Sequence, residues 1–304
     1  MSNTRVGIVV VHWRGMEDLH ECLVSLAPIA ATGVPIVVAL NDSPDFDESS
    51  AQNACPGLRV ARSEQNLGYA AGCNLGYRAL GDSVDAVLFL NNDVVVPPDV
   101  LAPIIRCFNA RPDAGVAGAT VVYYDDPTRV WAIGGRINRT FGYTRHAGFN
   151  GDAMLTADQL VDYVNGSAIA VRREVLDRLG GWDESYFHFF DEADLCERAR
   201  KLGYASYAVA GAPVRHKVSA TTGHRGSSRF NRPQAYYFAR NRVRFVGRHF
   251  YGWRRTVALI AQPKLVAYEC AKALVTGNTA EARGRLEGLI DGMRGRKGQR
   301  RGGW

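Results

Sequence analysis

The strongest constraint on this chain is the rhythm of its N-terminal third. β-Branched runs at 6–11 and 35–40, with shorter apolar runs at 58–61 and 86–90, read as strands. Segments 16–26 and 69–80 between them place apolar residues at helical spacing. Strands separated by helices imply a largely parallel sheet with right-handed crossovers, since a parallel neighbour is reached only by crossing a face of the sheet. Open sheets of this kind collect ligands at the carboxyl ends of their strands. The segments to inspect are therefore 12–14, 41–45, 63–68 and 91–93.

The rest of the chain changes character. Short β signals and glycines mark 114–172, with strands expected at 115–123, 130–136 and 161–171. A helix is expected to start near Pro98 and another to cover 191–202, followed by strands at 205–210 and 213–217. Beyond 231 the pattern is helical, at 231–250, 253–275 and 279–293. Segment 219–232 reads as a mobile loop, and the basic, glycine-rich 294–304 as a frayed tail. There is no internal repeat.

At 304 residues, 46% apolar and 22% charged, the chain can bury an ordinary core, which excludes wholesale disorder, collagen and coiled coil. Its six cysteines show no C-x-x-C pair, so a zinc ribbon or thioredoxin-like site has no support. A reducing cytosol is the expected setting. The N-terminal MSNTRVGIVVVHW reads as a first strand and not a signal peptide. No apolar run approaches a membrane span; the nearest, 257–268, is broken by Gln262, Pro263 and Lys264.

Net charge is +7, and the excess is concentrated. No Asp or Glu occurs between Glu197 and Glu269, an interval crowded with Arg and Lys, Arg225, Arg229, Arg240, Arg242 and Arg244 among them. Such a stretch suits an anionic partner, such as a diphosphate, a membrane surface or a nucleic acid. A solvated basic face is the competing reading.

Four constellations can carry chemistry. Leu90-Asn91-Asn92-Asp93 ends an apolar strand. It is either an Asx turn or a carboxylate and amide set that holds a hard divalent ion on a diphosphate. The glycine-spaced run from Asn66 to Gly76 allows close backbone approach at a helix start, which suits an anion or a ribose; it equally suits a helix packed on a sheet. Asp191, Glu192 and Asp194 come after the aromatic run Phe187-His188-Phe189-Phe190. They either complement a helix dipole or hold a general base at the rim of an apolar pocket. His216 ends a short strand and matters only if folding brings it near Asp93.

In order and spacing, these segments resemble the family 2 glycosyltransferases of GT-A fold, particularly the rhamnosyltransferase-like branch that builds bacterial surface polysaccharides. The similarity runs from about residue 6 to 250. Asn66 to Gly76 resembles the family's nucleotide-side "NLGFAAGNN" segment, and Asn91 to Asp93 its Asp-x-Asp-type metal motif. Val164-Asn165-Gly166-Ser167-Ala168 with Arg172-Arg173 resembles the acceptor-side strand. Residues 181–198 resemble the "GGFDE…EDxDLCxR" block that supplies the base, and 237–244 resembles the "YYxxRNxxR" helix.

The resemblance implies an α/β fold in which a Rossmann-like nucleotide-binding sheet merges with a smaller mixed acceptor-side sheet, plus C-terminal helices. It divides the chain into a catalytic domain, 1–228 (nucleotide half 1–112, acceptor half 113–228), a helical region, 229–293, and a tail, 294–304. It implies inverting transfer from a nucleoside diphosphate sugar to a glycan or lipid-linked acceptor. His12, Trp13, Asn41, Asp42, Asn66, Gly68, Gly72, Asn74 and Asn92 would contact the donor. Asp93, His216 and Asn91 would hold Mg2+ or Mn2+. Glu192, or Asp191 beside it, would be the base. Gly166, Ser167, Trp182, Asp183 and Asp194 would face the acceptor, and arginines of 215–232 would close over the diphosphate. Two departures stand out. Leu40 occupies the position of the family's base-reading Asp, with Asp42 as its substitute, and the paired acids run Asp-Glu instead of Glu-Asp. The donor stays open among dTDP-rhamnose, a UDP-sugar and a GDP-sugar.

A sugar-phosphate nucleotidyltransferase is the rival enzyme reading. It would want a glycine- and lysine-rich loop after the first strand, of which 11–15 is a poor version. A basic nucleic-acid-binding protein is the non-enzymatic rival, but no nucleic-acid motif is present and no nucleic-acid partner is expected. Arg254, Arg255, Lys264, Lys272, Arg283 and Arg285 lie among apolar residues, as they would for peripheral contact with an anionic membrane, its inner plasma-membrane face being the expected location, or for packing onto the catalytic domain.

Overall fold

A computed structural model describes residues 4–148, 151, 154–217 and 230–300. The N-terminal rhythm is realised as β1 (Val6–His12), α1 (Met16–Ala30), β2 (Ile36–Asn41), α2 (Glu48–Ala54), β3 (Arg59–Ser63), α3 (Tyr69–Leu80) and β4 (Ala86–Asn91). β1, β2 and β3 pair in parallel, and β4 joins the other side of β1. The strands are apolar throughout because both faces are covered. Val9, Val11, Val37 and Phe89 pack with Ala70 and Cys73 of α3 on one face. Ile8, Val10, Val38 and Leu88 pack with Leu19, Leu23 and Leu26 of α1 on the other, as the two-residue period of a strand requires.

The sheet continues through β5 (Val94–Val95), β6 (Ala114–Tyr123), β7 (Val130–Ala132), β10 (Gln159–Val161), β11 (Ala168–Arg172) and β12 (Ala205–His216), while β8 (Gly134–Ile137) and β9 (Thr144–Ala147) form a separate hairpin. The order is β10-β12-β6-β11-β4-β1-β2-β3, ten strands counting β5 on β12 and β7 on β6. The largely parallel expectation holds only for the first half. β11 runs antiparallel to both β4 and β6 and makes one mixed sheet of the two halves. The chain reverses direction across β1, so the crevice at the carboxyl ends of β1 and β4 is the topological switch point.

Several expected boundaries shift. Segment 161–171 is not one strand: the Asn165 side chain accepts from Ser167 N at 2.9 Å and forms an Asx turn between β10 and β11. Segment 130–136 is broken at Ile133, and the two strands expected at 205–210 and 213–217 are one, β12, ending at His216, with an irregularity between Val209 and Val214. The helix placed near Pro98 is α4 (Leu101–Ala110). The short α2 and α5 (Arg173–Leu179) were not anticipated. Segment 219–232 and its Arg225 and Arg229 lie almost wholly outside the described residues.

α6 (Asp191–Lys201) comes directly after the aromatic run, and three helices end the chain: α7 (Arg232–His249), α8 (Gly252–Val275) and α9 (Thr279–Met293). α9 lies so close to α7 that a Cβ on Gly284 or Gly288 would sit 2.2 Å from a carbonyl oxygen of α7. The expected free basic stretch is largely consumed inside the molecule. Arg240 and Arg242 are buried, Arg200 pairs with Glu197, and Arg232 with Glu287. Arg285 is also buried, against Glu269 and Glu281, so it faces no membrane. The described part of the tail is tied down: Gly298 N donates to Ser185 O at 2.8 Å, and Arg296 pairs with Asp291 at 3.0 Å.

Candidate functional site

A cleft of about 470 Å3 opens at the switch point. The ends of β1, β2 and β4 contribute Trp13, Asn41, Asn91, Asn92 and Asp93. The 163–167 turn contributes Asn165, Gly166 and Ser167; the aromatic run and α6 contribute Phe189, Asp191 and Glu192; β12 contributes His216.

Strand pairing explains the first cluster. β5 pairs antiparallel with the end of β12, Val94 opposite His216, and Asp93 immediately precedes it. His216 Nε2 lies 3.1 Å from Asp93 Oδ1, and both side chains are buried. Burial alone would push the Asp93 carboxyl up. The charge and hydrogen bond of His216, a backbone donor and Lys217 outweigh it and hold the group below the usual carboxylate range. His216 Nδ1 is buried with no hydrogen-bond partner among the described residues. An ionised carboxylate beside an imidazole with a spare nitrogen fits one side of a divalent ion whose other ligands come from phosphates and water. Asn91 lines the same wall. Among the described residues no group of three or more His, Cys, Asp and Glu gathers as a self-sufficient metal site.

The second cluster sits on a strained turn. Phe187, Phe189 and Phe190 adopt positive φ of 67, 66 and 66°, where each non-glycine residue costs on the order of 1–3 kcal/mol. Phe190 is the N-cap of α6 and offers no side-chain cap, and the backbone N–H groups of Asp191 and Glu192 act on the Asp191 carboxyl. Burial raises the Asp191 carboxyl. Burial and then the like charge of Asp191 raise Glu192 well above its ordinary value. Two acids that share so little room keep a proton between them above the usual carboxylate range. Asp191 Oδ2 is buried without a partner among the described residues. Glycine at 166 leaves open the space next to the Glu192 side chain, 3.6 Å from where a Cβ would sit.

The donor-side loop is built by Asn41. Its Oδ1 accepts from Leu67 N at 2.7 Å, and its Nδ2 donates to Asn66 Oδ1 and Gly68 O. Gly68 permits contact with the aromatic run: Tyr69 N donates to Phe187 O at 2.7 Å, and any Cβ at 68 would lie 2.4 Å from that oxygen.

Other residues expected at the site are elsewhere. His12 is buried behind the cleft, where Asn92 Nδ2, 3.0 Å away, faces its Nδ1 and also donates to Arg14 O. Burial lowers its pKa to about 4, against the opposing pull of Asp45. Asp42 turns to Arg14, 3.8 Å away, and does not line the cleft. Gly72 packs on β1, where a Cβ would be 2.7 Å from Val11 Cγ1. Asn74 bonds both backbone groups of Trp182, and Trp182 packs edge-on against Phe89 in the core. Asp183 caps Ser185 and pairs with Arg244 and Arg248. Asp194 is fully buried between Arg198 at 2.6 Å and His249 at 2.7 Å. None of these residues lines the cleft, and their contacts hold its frame. Conversely, Trp131, Thr144, His146, Tyr163, Phe230 and Phe238 line the cleft and were not singled out. Trp131, Thr144 and His146 come from short segments whose local sequence carries no motif, whereas Phe238 lies inside α7, within the 237–244 motif.

The profile of glycosyltransferase-like family 2 matches residues 4–235. The chain belongs to this family. A Mycobacterium tuberculosis N-acetylglucosaminyl-diphospho-decaprenol L-rhamnosyltransferase is 26% identical over 236 residues, 71% of this chain and 77% of the relative. Among solved structures, a Pyrobaculum calidifontis mannosyltransferase in complex with GDP-Man and Mn2+ aligns with a TM-score of 0.59 at 16% identity, covering 96% of this chain and 88% of the other. GalNAc-T7 with UDP, GalNAc and Mn2+ aligns with a TM-score of 0.65 at 13% identity, covering 96% of this chain and 56% of the other. The fold of this family 2 transferase is thus GT-A, with its sheet and C-terminal helices as expected. The rhamnosyltransferase-like resemblance is matched by a relative of that activity.

Proposed function

We propose that this transferase moves a sugar, with inversion, from a nucleoside diphosphate donor to a hydroxyl of a lipid-linked or growing glycan in bacterial surface polysaccharide synthesis. The observation that carries the reading is that the Asp93–His216 pair and the Asp191–Glu192 pair line one cleft. The acceptor class is supported by the relative, whose name specifies a diphospho-decaprenol substrate. dTDP-rhamnose is the first donor to try, ahead of UDP- and GDP-sugars. The reading divides the chain at about residue 228 into a catalytic and a helical part.

Glu192, or Asp191 in its place, accepts the acceptor hydroxyl proton while that oxygen forms the new bond to the anomeric carbon. The bond from that carbon to the diphosphate breaks on the opposite face, and the diphosphate leaves with the electron pair. The raised basicity of the acid pair favours proton acceptance. Asp93 and His216, with Asn91, would hold Mg2+ or Mn2+, which supplies neutralising charge for the departing diphosphate. Asn41, Asn66 and Gly68 shape the donor side. Trp131, Tyr163, Phe230 and Phe238 form an aromatic side suited to sugar rings or an apolar acceptor.

No helix among the described residues is long and apolar enough to cross a membrane. Peripheral contact at the inner face of the plasma membrane is supported by α8, which exposes Trp253, Ile260, Tyr268 and Val275. Its Arg254, Arg255, Lys264 and Lys272 are exposed too, and its one acid, Glu269, is engaged by Arg242 and Arg285. Apolar anchors among unopposed cations suit an anionic bilayer.

The test is a thermal-shift panel of UDP, dTDP and GDP and their sugars with and without Mn2+, then turnover of the selected donor. Stabilisation by one nucleoside diphosphate series, dependent on Mn2+, is expected. Release of pyrophosphate from a nucleoside triphosphate and a sugar phosphate would overturn the reading.

A further inference from the structure

The Arg-Asn pair of α7 does not line the cleft, yet its side chains are spent on the turn that delivers the acids. Asn241 Nδ2 lies 2.8, 2.7 and 2.8 Å from the carbonyl oxygens of Tyr186, His188 and Phe189, to which it donates. Its Oδ1 accepts from Arg240 Nε at 2.9 Å, which fixes the amide with its donors toward the turn. Arg240 is fully buried, and no carboxylate among the described residues pairs with it. Its remaining donors go to Tyr186 O at 2.7 Å, Ser185 O and Gly298 O. Tyr237 on the same helix stacks on Phe187, with ring centroids 4.9 Å apart.

A turn with three aromatic residues at positive φ does not hold itself. The carbonyls of His188 and Phe189 take side-chain donors from α7, and relaxation of any one residue to negative φ would swing the chain beyond it. The first residues of that swung chain are Asp191 and Glu192. The other anchor of the turn is Phe187 O, bonded to Tyr69 N of α3 beside the donor loop. The turn therefore spans from the donor side of the cleft to α7, and α7 supplies most of its hydrogen bonds.

We propose that Asn241, with Arg240 beside it, is a positioning residue for the transfer. By gathering the carbonyls of Tyr186, His188 and Phe189, it fixes the strained turn and so the place of Asp191 and Glu192 against the donor. This rests on the reading of that pair as the base. It gives the C-terminal helices a catalytic purpose separate from any contact with a membrane.

The experiment uses the full chain with Asn241→Ala, and Arg240→Lys as a second variant that keeps charge and stem but loses the forked donation. Arg242→Met is the control on the same helix, since its partners Gln262 and Glu269 belong to α8. Three quantities are read: hydrogen exchange in 185–192, affinity for UDP, dTDP and GDP with Mn2+, and kcat and KM with the donor the panel selects. Asn241→Ala is expected to speed exchange in 185–192 and lower kcat about 100-fold, the scale of a catalytic group displaced by roughly an ångström. Nucleotide affinity and donor KM should stay within about twofold, because the donor loop is held separately by Asn41. Arg242→Met should lower the melting temperature with kcat unchanged. If Asn241→Ala fails to fold, Arg240→Lys carries the same expectations. Unchanged exchange in the variant overturns the proposal, and so does a loosened turn with wild-type kcat. Loss of kcat and nucleotide affinity together also overturns it, since that reports general damage. Wild-type turnover in both Glu192→Gln and Asp191→Asn would remove the base assignment; loss there with a wild-type Asn241→Ala would remove the positioning role alone.

Discussion

Gly68→Ala tests whether the two sides of the cleft are as closely joined as the structure has them. Gly68 has φ 86° and ψ 172°, a region essentially reserved for glycine. A Cβ there would lie 2.4 Å from Phe187 O, 2.7 Å from its Cα and 2.8 Å from its ring. Two of these three atoms are backbone, so no rotamer change relieves the overlap. The backbone strain costs on the order of 1–3 kcal/mol. Pushing Phe187 away also breaks its bond with Tyr69 N, worth about 1 kcal/mol. A total near 3 kcal/mol corresponds to a fall in melting temperature of about 5 °C for a chain of this size. Gly57→Ala is the control: its φ is 82°, but nothing lies within 4 Å of the new Cβ. It carries only the conformational penalty, about 1 kcal/mol. Melting curves of both variants, with nucleoside diphosphate titrations, give the comparison. A Gly68→Ala no less stable than Gly57→Ala, with wild-type nucleotide affinity, would mean that the donor loop is not held against the aromatic turn.

Individual groups give further outcomes. Glu192→Gln should lower turnover by about 10²–10⁴ with donor affinity retained, the contribution of a positioned base; unaltered turnover removes Glu192 from the role. Asp93→Ala should abolish the Mn2+-dependent part of nucleoside diphosphate binding in calorimetry, and equal affinity with and without it would count against the metal assignment. Because burial lowers the His12 pKa to about 4, the neutral ring is the folded form. The stability it allows is present above the unfolded value of about 6.5 and is lost as pH falls toward 4, amounting to about 3 kcal/mol. His12→Gln should flatten that part of the denaturation profile, and an unchanged slope between pH 6.5 and 4 would exclude His12 as its source. Replacing Trp253 and Tyr268 by Ser should reduce flotation with anionic liposomes and leave catalysis in detergent intact; undiminished flotation argues against α8 as the contact.

The parts of the molecule legible in the sequence are those whose signal is local. The run Val6 to Val11 could only be a buried strand, and Tyr69–Leu80 is the helix its spacing indicates. Asn66, Gly68, Asp93 and Glu192 reach the cleft because strand exits and helix starts project there in such a sheet. Residues a few positions away in the same motifs did not. Asn74 shares its segment with Gly68 but lies on the face of α3 turned to Trp182. Asp183 and Asp194 flank the acids, yet their partners are Arg244, Arg248 and His249, more than fifty residues onward. The arginine-rich stretch looked like surface because sequence does not show that backbone carbonyls of a strained turn would take up Arg240. The aromatic side of the cleft was invisible for a related reason: Trp131, His146 and Tyr163 meet only after separate short segments pack together.

The proposed transfer requires one cleft to hold a nucleoside diphosphate sugar between the Asp93–His216 pair and the Asp191–Glu192 pair. A crystal structure with Mn2+ and the nucleoside diphosphate selected by thermal shift addresses this requirement. The ion should be bonded to Asp93 and His216, with the diphosphate on that ion and the open end of the cleft leading to Glu192. A nucleotide bound elsewhere on the molecule, or an ion held away from Asp93, would rule the proposed transfer out.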